Sequence, residues 1–364
     1  MDRAFVTTAT ILFLFAIQGC GQPESSPLYP PIEPLHSGFL SVSDVHELYW
    51  EVVGNPRGIP VVVLHGGPGG SAHPEMRQLF DPERFYVLLF DQRGAYRSKP
   101  RGEWRENRTQ HLIEDINRLR KHVGIEGQAI LFGGSWGSTL ALAYAERHPD
   151  LVAGMVLRGI FLATRAEIDY FYHGGTAKFF PDNWERLRRV VPEPEASDYH
   201  RQLFEMMTGD DPNERETAIE GWAYYEIRMS SVSLTDEATE EIVERYEDYL
   251  MPFAVLENYY MMNGCFLEDG QLLREVDRIV HIPTFIVQGR FDVICPPSAA
   301  WELAGRLDNV KLELTAASGH SQSEPANRKA LIRGVEWVAE RIEFEPPADD
   351  RQINPVTPAM EFTE

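Results

Sequence analysis

The chain has 364 residues, 43% of them hydrophobic and 11% aromatic, which is enough to bury a large core and excludes general disorder. Its 56 acidic and 34 basic residues give a formal charge of -22, a field that repels phosphate backbones and argues against nucleic-acid binding. The three cysteines have no zinc-site spacing; Cys265 and Cys295 read as buried thiols, with one disulfide as the alternative.

In chain order, Ala4 to Ile17 is almost wholly apolar, short for a membrane span, and runs into Gln18-Gly19-Cys20. A short apolar segment ending in Gly-Cys resembles a bacterial lipoprotein signal. Residues 1–20 are therefore expected to be a signal peptide, with Cys20 lipidated and the protein anchored facing the periplasm or exterior. Asp2 and Arg3 cancel, so the leading charge is weak. An ordinary secretion signal and a cytoplasmic chain with an apolar start remain as the other readings. Residues 21–35, rich in Pro and Ser, are expected to form a linker.

Short apolar or alternating runs follow at Phe39 to Val42, His46 to Val53, Ile59 to Leu64 and Phe85 to Phe90, and these predict strands. Leu112, Ile116, Leu119 and Val123 share one face of a helix predicted over His111 to Val123. Ala129 to Phe132 and Val152 to Leu157 continue the alternation. Repeated βα units with near-continuous apolar strands imply an α/β fold with a mostly parallel central sheet covered on both faces.

From Phe161 to about Asp277 the strands stop, and the chain becomes aromatic, acidic and helical. One helix is predicted over Asp236 to Leu250, with Ile242, Val243, Tyr246, Tyr249 and Leu250 as its apolar stripe. Strand–helix alternation resumes with Thr284 to Val287, Ser298 to Leu307, Lys311 to Leu314 and Arg328 to Ala339. The expected organisation is a core of residues 36–160 and 278–344, an inserted helical cap of 161–277, and a flexible tail of 345–364.

Gly133-Gly134-Ser135-Trp136-Gly137 is a G-x-S-x-G between a predicted strand and a predicted helix. That is the context of a nucleophile elbow, which lifts a serine hydroxyl above the sheet edge at a helix N-terminus. Asp292 and His320 follow later strands in the order acid then histidine, at strand ends where open sheets bind ligands. Ser135 is thus the candidate nucleophile, His320 its base and Asp292 the orienting acid. The run His65-Gly66-Gly67-Pro68-Gly69-Gly70 follows a buried strand and suits an oxyanion hole, with the N–H groups of Gly67 and Trp136 as donors. The ring of Trp136 is also expected to shape the pocket, and Asp91 and Arg93 to brace the glycine loop.

These segments, with Asp91-Gln92-Arg93-Gly94, Gly289-Arg290-Phe291-Asp292, Cys295-Pro296, Ser318-Gly319-His320, Arg158-Gly159-Ile160-Phe161 and Phe180 to Trp184, resemble the proline iminopeptidases of the α/β-hydrolase superfamily. The resemblance runs from about His36 to Trp337. It implies the α/β-hydrolase fold, removal of N-terminal proline from short peptides, and chemistry without metal or cofactor. It also implies that Glu226 and Glu257, in the cap, bind the substrate amino group; Phe161 and Tyr172 are expected to wall the proline pocket, with ordinary cap packing as the alternative reading. The chain departs from the family pattern at Tyr225, at Tyr259 to Met261 and at Ala95-Tyr96, where members carry a glycine second. The alternative is a related hydrolase of other small amides or esters with a changed cap.

Overall fold

The apolar runs pair side by side in the computed structural model of the protein, which describes residues 28–191 and 199–354. Among these residues the strands are β1 (His36–Ser41), β2 (Glu47–Gly54), β3 (Ile59–Leu64), β4 (Phe85–Phe90), β5 (Ala129–Gly134), β6 (Val152–Arg158), β7 (Thr284–Gly289) and β8 (Val310–Thr315). They form one sheet in the order β1-β2-β4-β3-β5-β6-β7-β8. The pairs β1/β2 and β2/β4 are antiparallel and all others parallel.

Successive side chains of a strand point to opposite faces, and here both faces are covered. Val62, Leu88 and Leu131 pack with helices α1 (Thr109–His122) and α2 (Trp136–Arg147). Their neighbours Val61, Val87 and Ile130 share a second cluster with Leu331 and Val335, which lie further along the chain. Strands buried on both sides need no polar alternation, which is why they read as unbroken apolar runs.

Between β6 and β7 the described residues form α3 (Arg165–Tyr172), α4 (Pro181–Arg188), α5 (Tyr199–Thr208), α6 (Pro212–Met229), α7 (Asp236–Arg245), α8 (Glu247–Met262) and the single turn α9 (Gln271–Arg274). Their starts are chemically marked: Thr164 and Glu167 make a reciprocal capping box on α3, and the Asp211 and Thr235 side chains cap α6 and α7. Two more helices, α10 (Pro297–Ala304) and α11 (Pro325–Ala339), complete the core. The latter carries Leu331 and Val335.

The helix expected over Asp236 to Leu250 is two helices, broken at Tyr246 (φ -112°, ψ 23°). α7 is an amphipathic surface helix, whereas α8 is buried at Ala254, Val255 and Leu256. One straight axis serves only one of those environments. Two further expectations change. The part of the expected linker that is described docks on the core, with Leu28 and Ile32 against it and the Tyr29 N–H donating to the Gln78 carbonyl at 2.9 Å. The expected loose tail is also docked as far as Asn354, whose N–H donates to the His122 carbonyl at 2.7 Å. Arg351 donates to the carbonyls of Pro56 and Gly58. Cys20 and the signal segment lie outside the described residues.

The loops after β3, β5, β6, β7 and β8 all open at one sheet edge, the carboxyl edge of the parallel strands, where open sheets place their ligands.

Candidate active site

Ser135 joins β5 to α2 with φ 58° and ψ -129°, a backbone conformation that non-glycine residues seldom adopt. Its N–H donates to the Arg158 carbonyl at 2.8 Å, and its own carbonyl accepts from the Ser138 N–H and hydroxyl at 2.8 and 2.7 Å. These bonds hold the strain in place. Gly137 is needed because a Cβ there would stand 2.0 Å from the Leu64 carbonyl oxygen. The sharp turn leaves the serine side chain at the start of α2, facing a cavity.

His320 and Asp292 arrive from the loops after β8 and β7. His320 Nδ1 lies 2.8 Å from Asp292 Oδ2. The other carboxylate oxygen accepts from the backbone N–H groups of Ile294 and Cys295 at 3.1 and 2.8 Å. Gln288 adds a donor to Oδ2 at 3.1 Å and fixes the Ile160 N–H through its own oxygen. An acid held by this many donors keeps Nδ1 as the protonated nitrogen and frees Nε2 as the base. Ser135 and His320 line the same cavity, of about 670 Å³. They share no hydrogen bond in this resting arrangement, as is common before substrate closes such a pair.

Gly67, with φ +109°, lies beside Ser135 in the lining of that cavity. As the first residue of α2, Trp136 has an N–H without a carbonyl partner in the helix. Its ring is not where the sequence reading puts it. The ring is fully buried, donates through Nε1 to Gln92 Oε1 at 2.8 Å, and meets Tyr260 edge-on with centroids 4.9 Å apart. Gln92 in turn donates from its side chain to the His65 carbonyl, and from its N–H to His65 Nε2, both at 2.9 Å. That fixes the proton of His65 on Nδ1, which donates to the Gly66 carbonyl at 2.8 Å, and burial pushes its pKa down. The ring therefore braces the glycine loop from behind. Asp91 braces it too, accepting from the Ala72 N–H at 2.9 Å, but Arg93 instead pairs with Asp115 on α1 at 2.6 Å. Arg97, bonded to both Asp91 and the Ala72 carbonyl, takes the place expected of Arg93.

Behind the cavity is a small recess whose lining includes Gly67, Ser135, Phe161, Tyr172, Glu226 and Glu257. The structure thus brings together the two cap glutamates, from α6 and α8, both aromatic wall residues and the serine. Oε2 of each glutamate, and the Tyr172 hydroxyl, have no hydrogen-bond partner among the described residues. Burial, with the Asp292 charge adding to it, pushes the Glu226 carboxyl up to about 8. Burial and then the Glu226 charge hold Glu257 well above the usual carboxylate range. The Tyr172 hydroxyl is raised by burial and by both acids, and its ring stacks on Trp222 with centroids 5.0 Å apart. Phe171, Met261 and Cys295 complete the apolar wall, and burial raises the Cys295 thiol as well. Both Cys265 and Cys295 are free thiols. Among the described residues no group of His, Cys, Asp and Glu is arranged to hold a metal ion.

Three residues of the site escaped the sequence reading of roles. Arg158 is buried at the end of β6 and donates to the His320 carbonyl at 2.7 Å. Gln288 is buried at the end of β7. Both are polar residues closing an otherwise apolar strand, and that pattern could have marked them. Glu167 also lines the recess, but its oxygens are occupied by the Leu162 and Thr164 N–H groups and the Thr164 hydroxyl. It is a third acid, and three local hydrogen bonds hold it to the start of α3.

A strained serine at a strand–helix elbow, a histidine–aspartate pair and a mostly parallel sheet under a helical cap define a serine hydrolase of the α/β-hydrolase class. Residues 59–325 match the family described as alpha/beta hydrolase fold. The chain is 46% identical over 313 residues to a proline iminopeptidase of Arabidopsis thaliana, covering 84% of this chain and 80% of that protein. It is 44% identical over 315 residues to a proline iminopeptidase of Xanthomonas citri, covering 86% and 99%. The chain belongs to the proline iminopeptidase family. An esterase structure from Exiguobacterium antarcticum shares the fold, with a TM-score of 0.60 at 19% identity over 84% of this chain and 100% of that one.

Proposed function

We propose that the protein is a serine exopeptidase that releases N-terminal proline from short peptides through a prolyl-enzyme intermediate. One observation carries this reading: two enclosed glutamates, each with an oxygen lacking a partner among the described residues, face a recess that also contains the nucleophile. Buried acids without a donor are costly, and a cation that supplies N–H groups removes the cost. An N-terminal proline is a secondary ammonium with two hydrogens, one for each carboxylate. Its pyrrolidine ring is apolar and matches the wall of Phe161, Phe171, Tyr172 and Met261. An N-acylated proline has neither the charge nor the hydrogens.

In the reaction, Ser135 Oγ attacks the prolyl carbonyl carbon while its proton passes to His320 Nε2. The carbonyl electrons move onto oxygen, where the N–H groups of Gly67 and Trp136 hold the charge, each worth about 3 kcal/mol in such sites. Collapse breaks the C–N bond, and the leaving amine takes the proton from His320. Water then adds to the prolyl ester with His320 again as base, and proline departs with Ser135 restored. The recess accepts one residue beyond the reacting carbon, which makes the enzyme an exopeptidase.

The test is kcat/KM on matched anilides of free proline, N-acetylproline and alanine, with Ser135→Ala as control. Strong preference for free proline, abolished in the control, is expected. Equal turnover of the blocked substrate would overturn the assignment of the two glutamates.

For location, the proposal is an exported lipoprotein, supported by the apolar run Ala4 to Ile17 ahead of Gly19-Cys20. Incorporation of labelled palmitate by the wild type, lost in Cys20→Ala, is the expected result. A chain that takes up no label in either form would rule the anchor out.

A further inference from the structure

The scissile carbonyl must sit at Ser135, which lines both the recess and the larger cavity. With proline in the recess, the departing peptide runs through the larger cavity. Of the charged residues of that cavity, Arg97 is paired with Asp91 at 2.6 Å, Arg158 donates to the His320 carbonyl while its Nε has no partner among the described residues, and Glu226 belongs to the recess as well. Part of the remaining wall is a run of aromatic rings. Tyr96 meets Tyr249 edge-on with centroids 5.4 Å apart, and Tyr249 stacks on Phe253 at 6.3 Å. Tyr249 lines the cavity beside Gly70 and Ser71, its hydroxyl 3.4 Å from where a Cβ on Gly70 would stand, so the array reaches from the rim down to the glycine loop.

Tyr96 is the unusual member. Its φ is +21°, on the side of the Ramachandran map that side chains disfavour, yet it is not buried for packing: 40% of its surface is exposed at the cavity. A large aromatic residue in a strained turn, left open to the substrate path, points to a role toward ligand.

We propose that Tyr96, Tyr249 and Phe253 form a subsite for an aromatic or large aliphatic side chain in the first or second residue after the proline. The inference rests on the proline-releasing reading above. It also limits the consequence of the chain's charge: acids line the recess for the amine, while the leaving side selects neutral apolar residues and not basic ones. Contact with such a wall favours a leucyl or phenylalanyl side chain over glycine by about tenfold or more.

The test measures kcat/KM of the full chain on prolinamide and on the dipeptide amides Pro-Phe, Pro-Leu, Pro-Gly, Pro-Lys and Pro-Glu. Wild type is expected to favour Pro-Phe and Pro-Leu over Pro-Gly by about tenfold or more. Tyr96→Gly, which relieves the backbone, is expected to bring the Phe/Gly ratio to within a few-fold, and Tyr96→Phe to keep it. A flat profile, a preference for Pro-Lys, or a Phe/Gly ratio unchanged in Tyr96→Gly overturns the subsite. If prolinamide is hydrolysed in such a case, the proline reading stands and only the subsite falls. Loss of turnover on every prolyl substrate takes both down together.

Discussion

The carboxylate of Glu324 accepts a hydrogen bond from the backbone N–H of Val232 at 2.8 Å and so ties the cap to the histidine loop. The same oxygen accepts from the Ser231 hydroxyl at 2.7 Å, while its other oxygen accepts from the Gly319 N–H, next to His320. The Ser321 N–H adds a bond to the Ser230 carbonyl at 2.7 Å. Since Ser230 directly follows α6, the helix that carries Glu226, the proposed amine site and His320 are held in one frame.

Removing that clamp is therefore expected to do more than destabilise. Glu324→Ala strands the buried Gly319 N–H, at about 1–3 kcal/mol, frees the part-buried Val232 N–H, and lowers the melting temperature. At temperatures where the variant is fully folded, KM for prolyl substrates is expected to rise while kcat also falls. Unchanged kinetics beside a lowered melting temperature would reduce Glu324 to a structural role.

The acid pair sets a pH dependence of stability. The Glu226 carboxyl is raised from 4.5 to about 8 in the folded protein. Between those values the native state holds a proton that the unfolded chain has released, so stability falls as the pH rises across that window and levels off above it. Glu226→Gln removes this contribution. The stability difference between variant and wild type, from urea unfolding at several pH values, is expected to widen in favour of the variant between about pH 5 and 8. Its kcat/KM for the proline anilide with a free amine should fall by about tenfold to a hundredfold, the loss of a charge-assisted bond.

At the elbow, activity and stability oppose one another. Ser135→Ala is expected to abolish turnover with little change in fold. Ser135→Gly is equally inactive but relieves the positive φ, and calorimetry is expected to show it more stable than the alanine variant by about 1 kcal/mol. Equal melting temperatures for the two would argue that the turn carries no strain.

Trp136 separates backbone from ring. Trp136→Phe keeps the proposed oxyanion N–H but strands Gln92 Oε1 in the core. The expected cost is about 1–3 kcal/mol in stability, with kcat on prolyl substrates reduced only a few-fold. A loss of about a hundredfold or more in kcat at unchanged stability would instead place the ring in the catalytic machinery.

Local chemistry determined much of this protein. Unbroken apolar runs at β3 to β7 specify strands buried on both faces, and the small residues around Ser135 specify a turn in which almost nothing else fits. Asp292 and His320 stand out because each follows a strand in the order the fold requires. The tertiary structure decided what depends on which surfaces meet. The break at Tyr246 arises because α8 is drawn into the core while α7 stays on the surface, and both carry the same apolar stripe. Residues 28–35 and 346–354 dock because the core offers carbonyls and apolar area that composition does not reveal. The ring of Trp136 turns to Gln92 because an indole N–H buried in the core needs an acceptor. That Glu226 and Glu257 face one recess, and that Oε2 of neither has a donor among the described residues, is a property of how two helices are placed, since a partner's absence is a fact of space and not of sequence.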